Sequence, residues 1–336
     1  MDTKVTVIIP AFNEASKIQR CIDSLLSQSV IPNIIVVNDG SSDETVQKVE
    51  KYKKLSNFLL INQLNQGVSV ARNHGIKVAK TEYITFVDAD DYVEKDFIKT
   101  LLDGFVNHNN IDLSVCNYSM KKLNNNITFY GKFRTSILNQ IAYFDSVIGE
   151  KGINGFVYNK LFRKSIIEKY SIHFDPNISI GEDFLFCFLY GGYCKKVFIN
   201  DSVQIHYIPT TSGVSDTMQI RGRFSAKIID YFYANLKIVN YLKSLDLGGN
   251  IQKVVNEEIC RTCLAAVTIV RKVYLYNQKG YYDEVNKMKT FVKNHKLYIT
   301  KSKKITTSDK LKVLMLIYSP WLLKQLDRVK YKKQVG

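Results

Sequence analysis

Three near-continuous apolar runs punctuate the N-terminal part of the chain. Val5-Thr-Val-Ile-Ile9 ends at Pro10, Ile34-Ile-Val-Val37 ends at Asn38-Asp39-Gly40, and Tyr83-Ile-Thr-Phe-Val87 ends at Asp88. A strand wetted on one face alternates apolar and polar positions. An unbroken β-branched run bounded by turn formers predicts instead a strand buried on both faces, as in parallel sheets. Helical spacing covers about 14–28, 43–54 and 67–79 between and around these runs. Strands alternating with helices predict an α/β domain with a mostly parallel central sheet flanked by helices. A further strand is expected at 111–117, and a hairpin or loop in the Lys/Asn-rich stretch 121–132. A helix is expected to begin after Gly155 within 156–170, an aromatic-rich helix over 182–193, and an edge strand at 203–208.

The pattern changes near 218. Residues 222–245 and 251–277 carry apolar residues at helical spacing with Lys and Arg between them, separated by Gly248-Gly249. Residues 281–310 are Lys-rich and polar, and 311–333 are apolar first and basic afterwards. Two domains are therefore expected: an α/β domain over 1–217 and a helical, basic appendage over 218–336. The run 311–323 is broken by Lys312 and Pro320 and falls short of the ~20 apolar residues that span a bilayer. Its Tyr318 and Trp321 suit headgroup depth, and Lys330, Lys332 and Lys333 suit anionic lipid, so 311–336 reads as a membrane-surface tail. A helix packed on the appendage, or a homo-oligomer formed through the C-terminal helices, accounts for the same pattern.

Composition narrows the partners. The 336 residues exceed one typical domain, and 46% apolar content is enough for a core. A net charge of +16 implies an anionic partner: nucleic acid, a membrane surface or a phosphorylated substrate. No nucleic acid is expected, because no recognition motif is present and the basic residues are densest towards the tail rather than interleaved with aromatics in one groove. The six cysteines are mostly flanked by apolar residues, the pattern of buried free thiols in a reducing compartment. Cys260 and Cys263 form a CxxC without a second pair or a His at zinc spacing, which reads as one helix face. Met-Asp-Thr-Lys leads straight into a strand-like run without signal-peptide features. A cytoplasmic location follows, with the tail at the inner face of the cell membrane.

Polar residues follow each of the three strands: Pro10-Ala-Phe-Asn-Glu14, Asn38-Asp-Gly-Ser-Ser-Asp43 and Asp88-Ala-Asp-Asp91. Open parallel sheets bind ligands beyond the carboxyl ends of their strands, so the three tips converge on one site. Asp88 and Asp90 offer hard oxygens suited to magnesium or manganese, ions that keep waters and bind substrate phosphates. A helix cap formed by Asp91 with Glu94 explains the same cluster and is compatible with metal binding by its neighbours. Asp39 either serves a turn with Gly40 or accepts a hydrogen bond from a base N–H. Gly67 is placed to open a helix carrying Arg72 and Asn73. Arg72 there pairs with a phosphate, braces Asp88 or lies on a solvated face. Gly181-Glu182-Asp183 heads an apolar helix, where carboxylates serve as caps or one serves as a general base.

In this order the motifs resemble the family 2 glycosyltransferases of the GT-A fold, of the bacterial surface-polysaccharide type. Val7-Ile-Ile-Pro-Ala-Phe-Asn-Glu14 resembles the family's opening strand and nucleotide loop, and Val36-Val-Asn-Asp-Gly-Ser-Ser-Asp43 its uracil-binding turn. Asn65-x-Gly67, Ala71-Arg-Asn73 and Phe86-Val-Asp-Ala-Asp-Asp91 follow, then Asn159-Lys-Leu-Phe-Arg163 and Gly181-Glu-Asp183, which resemble acceptor-side motifs. The likeness covers about 4–216. It implies a nucleotide-binding half at about 1–92 and an acceptor half at about 93–217. Pro10, Ala11, Phe12, Asn13, Glu14 and Asp39 would line the uridine site, with Asn65, Gly67 and Ala89 beside it. Arg72 would sit near the diphosphate, Asp88 would contact ribose or metal, and Asp90 would ligate Mn2+ or Mg2+. Asp183 would be the base, oriented by Glu182, with Asn159 and Lys160 on the acceptor side.

The implied reaction is an inverting transfer from a UDP-sugar to a hydroxyl of a growing or lipid-linked cell-surface glycan. Two departures stand out. Phe12 occupies a position where Tyr is common, and Ile205-His-Tyr-Ile-Pro-Thr-Thr-Ser212 lacks the arginine often found after the aromatic pair. His206 in that segment reaches the metal or is structural. A nucleotidyltransferase would leave the Asp39 turn and the Gly181-Glu-Asp183 helix head unexplained. A non-enzymatic anionic-surface or nucleic-acid binding protein is the alternative that the charge offers, and no recognition motif supports it.

Overall fold

The computed structural model describes residues 4–121, 127–149, 152–208 and 224–325. The chain divides into two compact units, 1–209 and 210–336. The boundary expected at 217/218 lies outside the described residues.

The first unit begins β1 (Val5–Ala11), α1 (Ile18–Leu26), β2 (Asn33–Asp39), α2 (Thr45–Glu50), β3 (Phe58–Gln63), α3 (Val68–Val78) and β4 (Tyr83–Phe86). The three apolar runs are thus strands, and each ends within two residues of its predicted polar tip. β1 is buried at every residue and lies between β2 and β4, parallel to both, while β3 extends the parallel sheet beyond β2. β3 was not legible as a strand because it mixes apolar and polar residues at the sheet's edge. Below the sheet, α1 contributes Ile18, Cys21, Ile22 and Leu25 to a core shared with Val7 and Ile9. Above it, α3 lies close, since a Cβ on Gly75 would come within 2.4 Å of Ile8 Cγ2.

The chain continues β5 (Tyr92–Val93), α4 (Phe97–Val106), β6 (Leu113–Lys121), β7 (Ile127–Tyr130), β8 (Ser136–Asn139), α5 (Gln140–Ile148), β9 (Lys160–Arg163), α6 (Lys164–Lys169), α7 (Glu182–Gly191) and β10 (Lys196–Tyr207). Sheet order is β3-β2-β1-β4-β9-β6-β10-β5, with β7 on β6 and β8 on β10. Most paired residues are in parallel register, and β9 is an antiparallel insert between β4 and β6. Two expectations are corrected here. The segment 156–170 does not start as a helix: 160–163 is β9, and α6 begins only at Lys164. Phe162 decides this, because it docks edge-on against Phe86, Phe186 and Tyr190. Residues 203–208 are not an edge strand either. They end β10, which runs between β6 on one side and β5 and β8 on the other. Register shifts between Ile199 and Ile205 break its pattern, so only the second piece read as a strand.

The second unit holds α8 (Ile228–Ser244), α9 (Ile251–Leu275), α10 (Tyr282–Asn294), α11 (Lys296–Lys301) and α12 (Thr307–Tyr318). Phe232, Ile238, Val239 and Leu242 form the buried stripe of α8 at the expected helical spacing. Among the described residues no helix is long and apolar enough to cross a membrane. All six cysteines are free, and only Cys260 is more than slightly exposed.

Candidate active site

The tips of β1 and β2 are stitched together. Asn13 adopts a left-handed φ of 55°. Its side-chain oxygen accepts from the Ser42 N–H at 2.8 Å, and its own N–H donates to Ser41 Oγ at 3.0 Å. The Glu14 N–H donates to Thr45 Oγ1 at 2.8 Å and the Ala15 N–H to Asp43 Oδ2 at 3.1 Å. Burial acts to raise the Asp43 carboxyl, but the Thr45 hydroxyl and N–H and the Ala15 N–H outweigh it and hold it below its ordinary range. Pro10 and Ala11 are buried in β1, whereas the Phe12 ring stands 47% exposed beyond the strand end.

Asp39 is buried and heavily engaged. It accepts from Gln63 Nε2 at 2.9 Å, the Gln66 N–H at 2.9 Å and the Gly67 N–H at 2.8 Å. A carboxylate has about four lone-pair directions, so one remains for a ligand. Asp39 is therefore first an anchor for the loop that delivers α3. Gly67 opens that helix at φ 91°, a conformation that costs a side chain free energy. Asn65 is exposed on the same loop, and its N lies 2.8 Å from where a Cβ on Gly40 would stand.

Arg72, one turn into α3, joins the two halves of the site. Its side chain is 3% exposed. Nη2 donates to Asp88 Oδ1 at 2.9 Å, while Nη1 donates to Glu182 Oε1 at 3.0 Å and Asp183 Oδ1 at 2.5 Å. The guanidinium carbon also lies 5.2 Å from the Phe174 ring centroid. Next to it, Asn73 clamps the Phe174 backbone, donating to its carbonyl and accepting from its N–H. Gly181, at φ 89°, caps α7 and turns Glu182 and Asp183 towards Arg72. Burial pushes the Asp183 carboxyl well above its ordinary range. Arg72 pulls it down, and Glu182 and Asp88 push it up again.

Asp88 and Asp90 follow β4 with Ala89 buried between them. Burial first, then Asp88 and Glu14, push the Asp90 carboxyl up to about 6, and Lys17, 3.9 Å away, offsets only part of this. Asp91, read as a helix cap, is none: β5 follows it, and α4 starts only after Asp96. It is fully buried, with Oδ1 accepting from the Ile208 N–H at 3.1 Å and Oδ2 lacking a hydrogen-bond partner among the described residues. His206 stacks on Tyr92, with Nδ1 2.7 Å from Ser119 Oγ and Nε2 2.6 Å from Glu94 Oε1. Both ring nitrogens thus have protein partners.

Asn159 and Lys160, expected beside the acceptor, are wholly buried. The Lys160 ammonium donates to the carbonyls of Asn154 (2.8 Å) and Phe156 (2.7 Å) and to Asn159 Oδ1 (2.9 Å). Both side chains brace the 154–156 loop from beneath. Gly155 in that loop packs on Phe184, the neighbour of Asp183. Phe156 projects 36% exposed and stacks on Tyr158 at 5.0 Å. Phe156 went unnoticed in the sequence, as did Lys17 and Arg20, which lie near Asp90. The i, i+3 spacing of Lys17 and Arg20 on the helix after the first tip was a usable signal. Nothing in the sequence marked Phe156.

Residues 6–171 match the model of glycosyl transferase family 2. Glu182 and Asp183 lie beyond the matched stretch. Glycosyltransferase EpsH of Bacillus subtilis is 29% identical over 253 residues, 72% of this chain and 73% of EpsH. The poly(ribitol-phosphate) beta-N-acetylglucosaminyltransferase TarP of Staphylococcus aureus is 32% identical over 194 residues, 54% of this chain and 56% of TarP. The solved structure of S. aureus TarS 1–349 with UDP is similar at a TM-score of 0.66 and 17% identity, over 97% of this chain and 92% of that one. At this identity the likeness establishes the fold, a mixed α/β fold of GT-A type with a helical C-terminal region. The family model spans all three strand tips and the acid cluster, and these relatives are named as glycosyltransferases, so residues 6–171 form a glycosyl transferase family 2 domain and the chain is a glycosyltransferase.

Proposed function

We propose that the chain moves a sugar from a UDP-sugar to a hydroxyl of a cell-surface glycan acceptor, with inversion at the anomeric carbon. One observation carries the reading. A single buried guanidinium holds Asp88, at the strand tip, together with Glu182 and Asp183, at the head of α7. The acid that faces the nucleotide and the candidate base are thereby kept one guanidinium apart. TarS has been solved with UDP and with UDP-GlcNAc, which supports a UDP-sugar donor.

In this reading Phe12 offers its exposed face to the uracil, and the remaining lone pair of Asp39 accepts the base N–H. Asp183 takes the proton of the acceptor hydroxyl. A carboxyl raised by burial is a stronger base than an ordinary aspartate, and Glu182 and Arg72 fix its orientation. The hydroxyl oxygen bonds to the anomeric carbon as the bond to the diphosphate breaks on the opposite face. One base and one leaving group suffice, with no covalent intermediate. Phe156, on its braced loop beside α7, presents an aromatic face to the acceptor.

Asp88 and Asp90 fit a divalent cation. Their oxygens are hard, and Asp90 carries negative charge that Lys17 does not neutralise. Among the described residues no three His, Cys, Asp or Glu are grouped to hold a metal by themselves. A cation at Asp88 and Asp90 would thus complete its shell from water and diphosphate oxygens. When bound it supplies charge neutralisation for the departing UDP. The test is UDP release over several UDP-sugars with manganese, repeated with Asp183→Asn. We expect turnover to fall by about 10²–10⁴ with UDP affinity unchanged. Near-normal turnover removes Asp183 from the role of base.

A further inference from the structure

The positive charge is not shared between the two units. Residues 1–209 carry 23 Lys and Arg against 22 Asp and Glu, whereas 210–336 carry 24 against 9. The excess of the whole chain therefore lies almost entirely outside the catalytic unit. Within 296–325 the sequence holds lysines at 296, 301, 303, 304, 310, 312 and 324 against one acid, Asp309; Lys312 pairs with Asp309 and Lys304 with Glu257 of α9.

The same stretch leaves large apolar side chains in water. α12 is apolar on two sides. Val313 and Leu316 are fully buried in the unit, while Leu311, Met315 and Tyr318, at i, i+4 and i+7, line an outward face. Leu311 is 52% exposed and Tyr318 62%. Just beyond α12, Trp321 is 69% exposed, with Leu322 beside it. Lys296 ties α11 to this face, its ammonium donating to the Tyr318 hydroxyl at 2.8 Å, and α11 itself exposes Leu297 and Tyr298. Water-exposed apolar groups clustered this way mark an interaction surface.

We propose that α12 and residues 320–325, set in this lysine-rich stretch, dock on an anionic lipid surface, lying in the interface without crossing it. The pairing of chemistries selects this partner. A soluble polyanion would use the lysines but gains nothing from outward Trp, Leu and Tyr side chains. Neutral apolar partners would gain nothing from seven lysines. An anionic membrane takes both, with the aromatic rings at headgroup depth and the ammonium groups among the phosphates. The inference is independent of the reaction proposed above, because it rests on the second unit alone.

Trp321 is the only tryptophan of the chain, so its emission reports this face and nothing else. The full chain is mixed with phosphatidylcholine vesicles, with and without phosphatidylglycerol, and followed by tryptophan emission and co-sedimentation. We expect a blue shift and sedimentation with the anionic vesicles, at least ~10-fold tighter than with the neutral ones. The exposed-residue variant Leu311→Ser/Trp321→Ser leaves the core untouched. It should bind UDP normally and lose the salt-resistant part of sedimentation. Sedimentation without any emission shift means simple charge adhesion and overturns the proposal. So does a blue shift produced by soluble polyphosphate, or by raising the protein concentration without vesicles, which would identify a polymer site or a self-association face.

Discussion

Replacing Arg72 with Met keeps an unbranched apolar stem in α3 and deletes the guanidinium, its charge and its hydrogen-bond donors together. Three carboxylates then lose their common partner: Asp88, Glu182 and Asp183, with side chains 30%, 13% and 17% exposed. Breaking a buried ion pair from one side costs about 3–5 kcal/mol, because the survivors stay desolvated. The partial exposure of Asp88 and the ability of the acids to take up protons place the cost near the lower end, about 3 kcal/mol at neutral pH. For a unit of this size that is a fall of about 1 M in the urea midpoint. The pH dependence has a definite sign. Asp183 is already raised above its unfolded value, so its contribution to stability is full below the ordinary carboxylate range and is lost as pH rises through the folded value. Without Arg72 the acids rise further, so the deficit of Arg72→Met should be largest near pH 8 and shrink towards pH 5. Urea unfolding followed by far-UV circular dichroism at both pH values measures this. A deficit that is absent, or that grows on acidification, would refute the idea that Arg72 acts by neutralising the three acids. Arg72→Lys should recover only part of the loss, since one ammonium cannot replace a planar fork that reaches both Asp88 and the α7 acids.

Asp90 gives a second pH signature. With its carboxyl at about 6, manganese affinity should weaken roughly tenfold per pH unit below 6, since the metal binds only the ionised form; calorimetric titration between pH 5 and 8 would expose a flat profile, which contradicts it. In the absence of metal the sign reverses for stability, because a raised carboxyl favours the fold below its unfolded value and this gain disappears as pH rises through about 6. Lys160→Met leaves three oxygens under the 154–156 loop without their donor, and should cost about 2–3 kcal/mol. It should also raise the KM for acceptor while leaving UDP affinity intact, and an unchanged acceptor KM would show that the loop does not serve the acceptor.

The site combines two kinds of order. The proposed nucleotide side is built from strand tips a few residues long, in which turn-forming residues, Asn13, Asp43 and Asp39, cross-link neighbouring loops. The proposed acceptor side is held by contacts between residues far apart in the chain, such as Arg72 to Asp183 and Asn73 to Phe174. Local hydrogen bonds can be anticipated from turn-forming residue types. Distant ones depend on how the sheet closes.

What the sequence determined by itself was the α/β alternation and the place of its chemistry. Buried parallel strands require unbroken β-branched runs, and such runs end where polar residues begin, so β1, β2 and β4 and the acids beyond them were legible from composition alone. Helical spacing likewise marked α3, α7 and the long helices of the second unit. Tertiary structure decided the rest, because packing chooses between readings that are locally equivalent. Lys160–Arg163 became a strand once Phe162 had an aromatic cluster to enter, and β10 became an inner strand despite its broken pattern. Asp39 became an anchor because the 63–67 loop brings N–H groups to it. His206 gained partners on both ring nitrogens because Ser119 and Glu94 meet it from β6 and from beyond β5. Above all, no spacing in the sequence shows that Arg72 would face Glu182 and Asp183, 110 and 111 residues away. That meeting depends on the tertiary fold bringing α3 and the head of α7 together, and it links the acids of the strand tip to the candidate base.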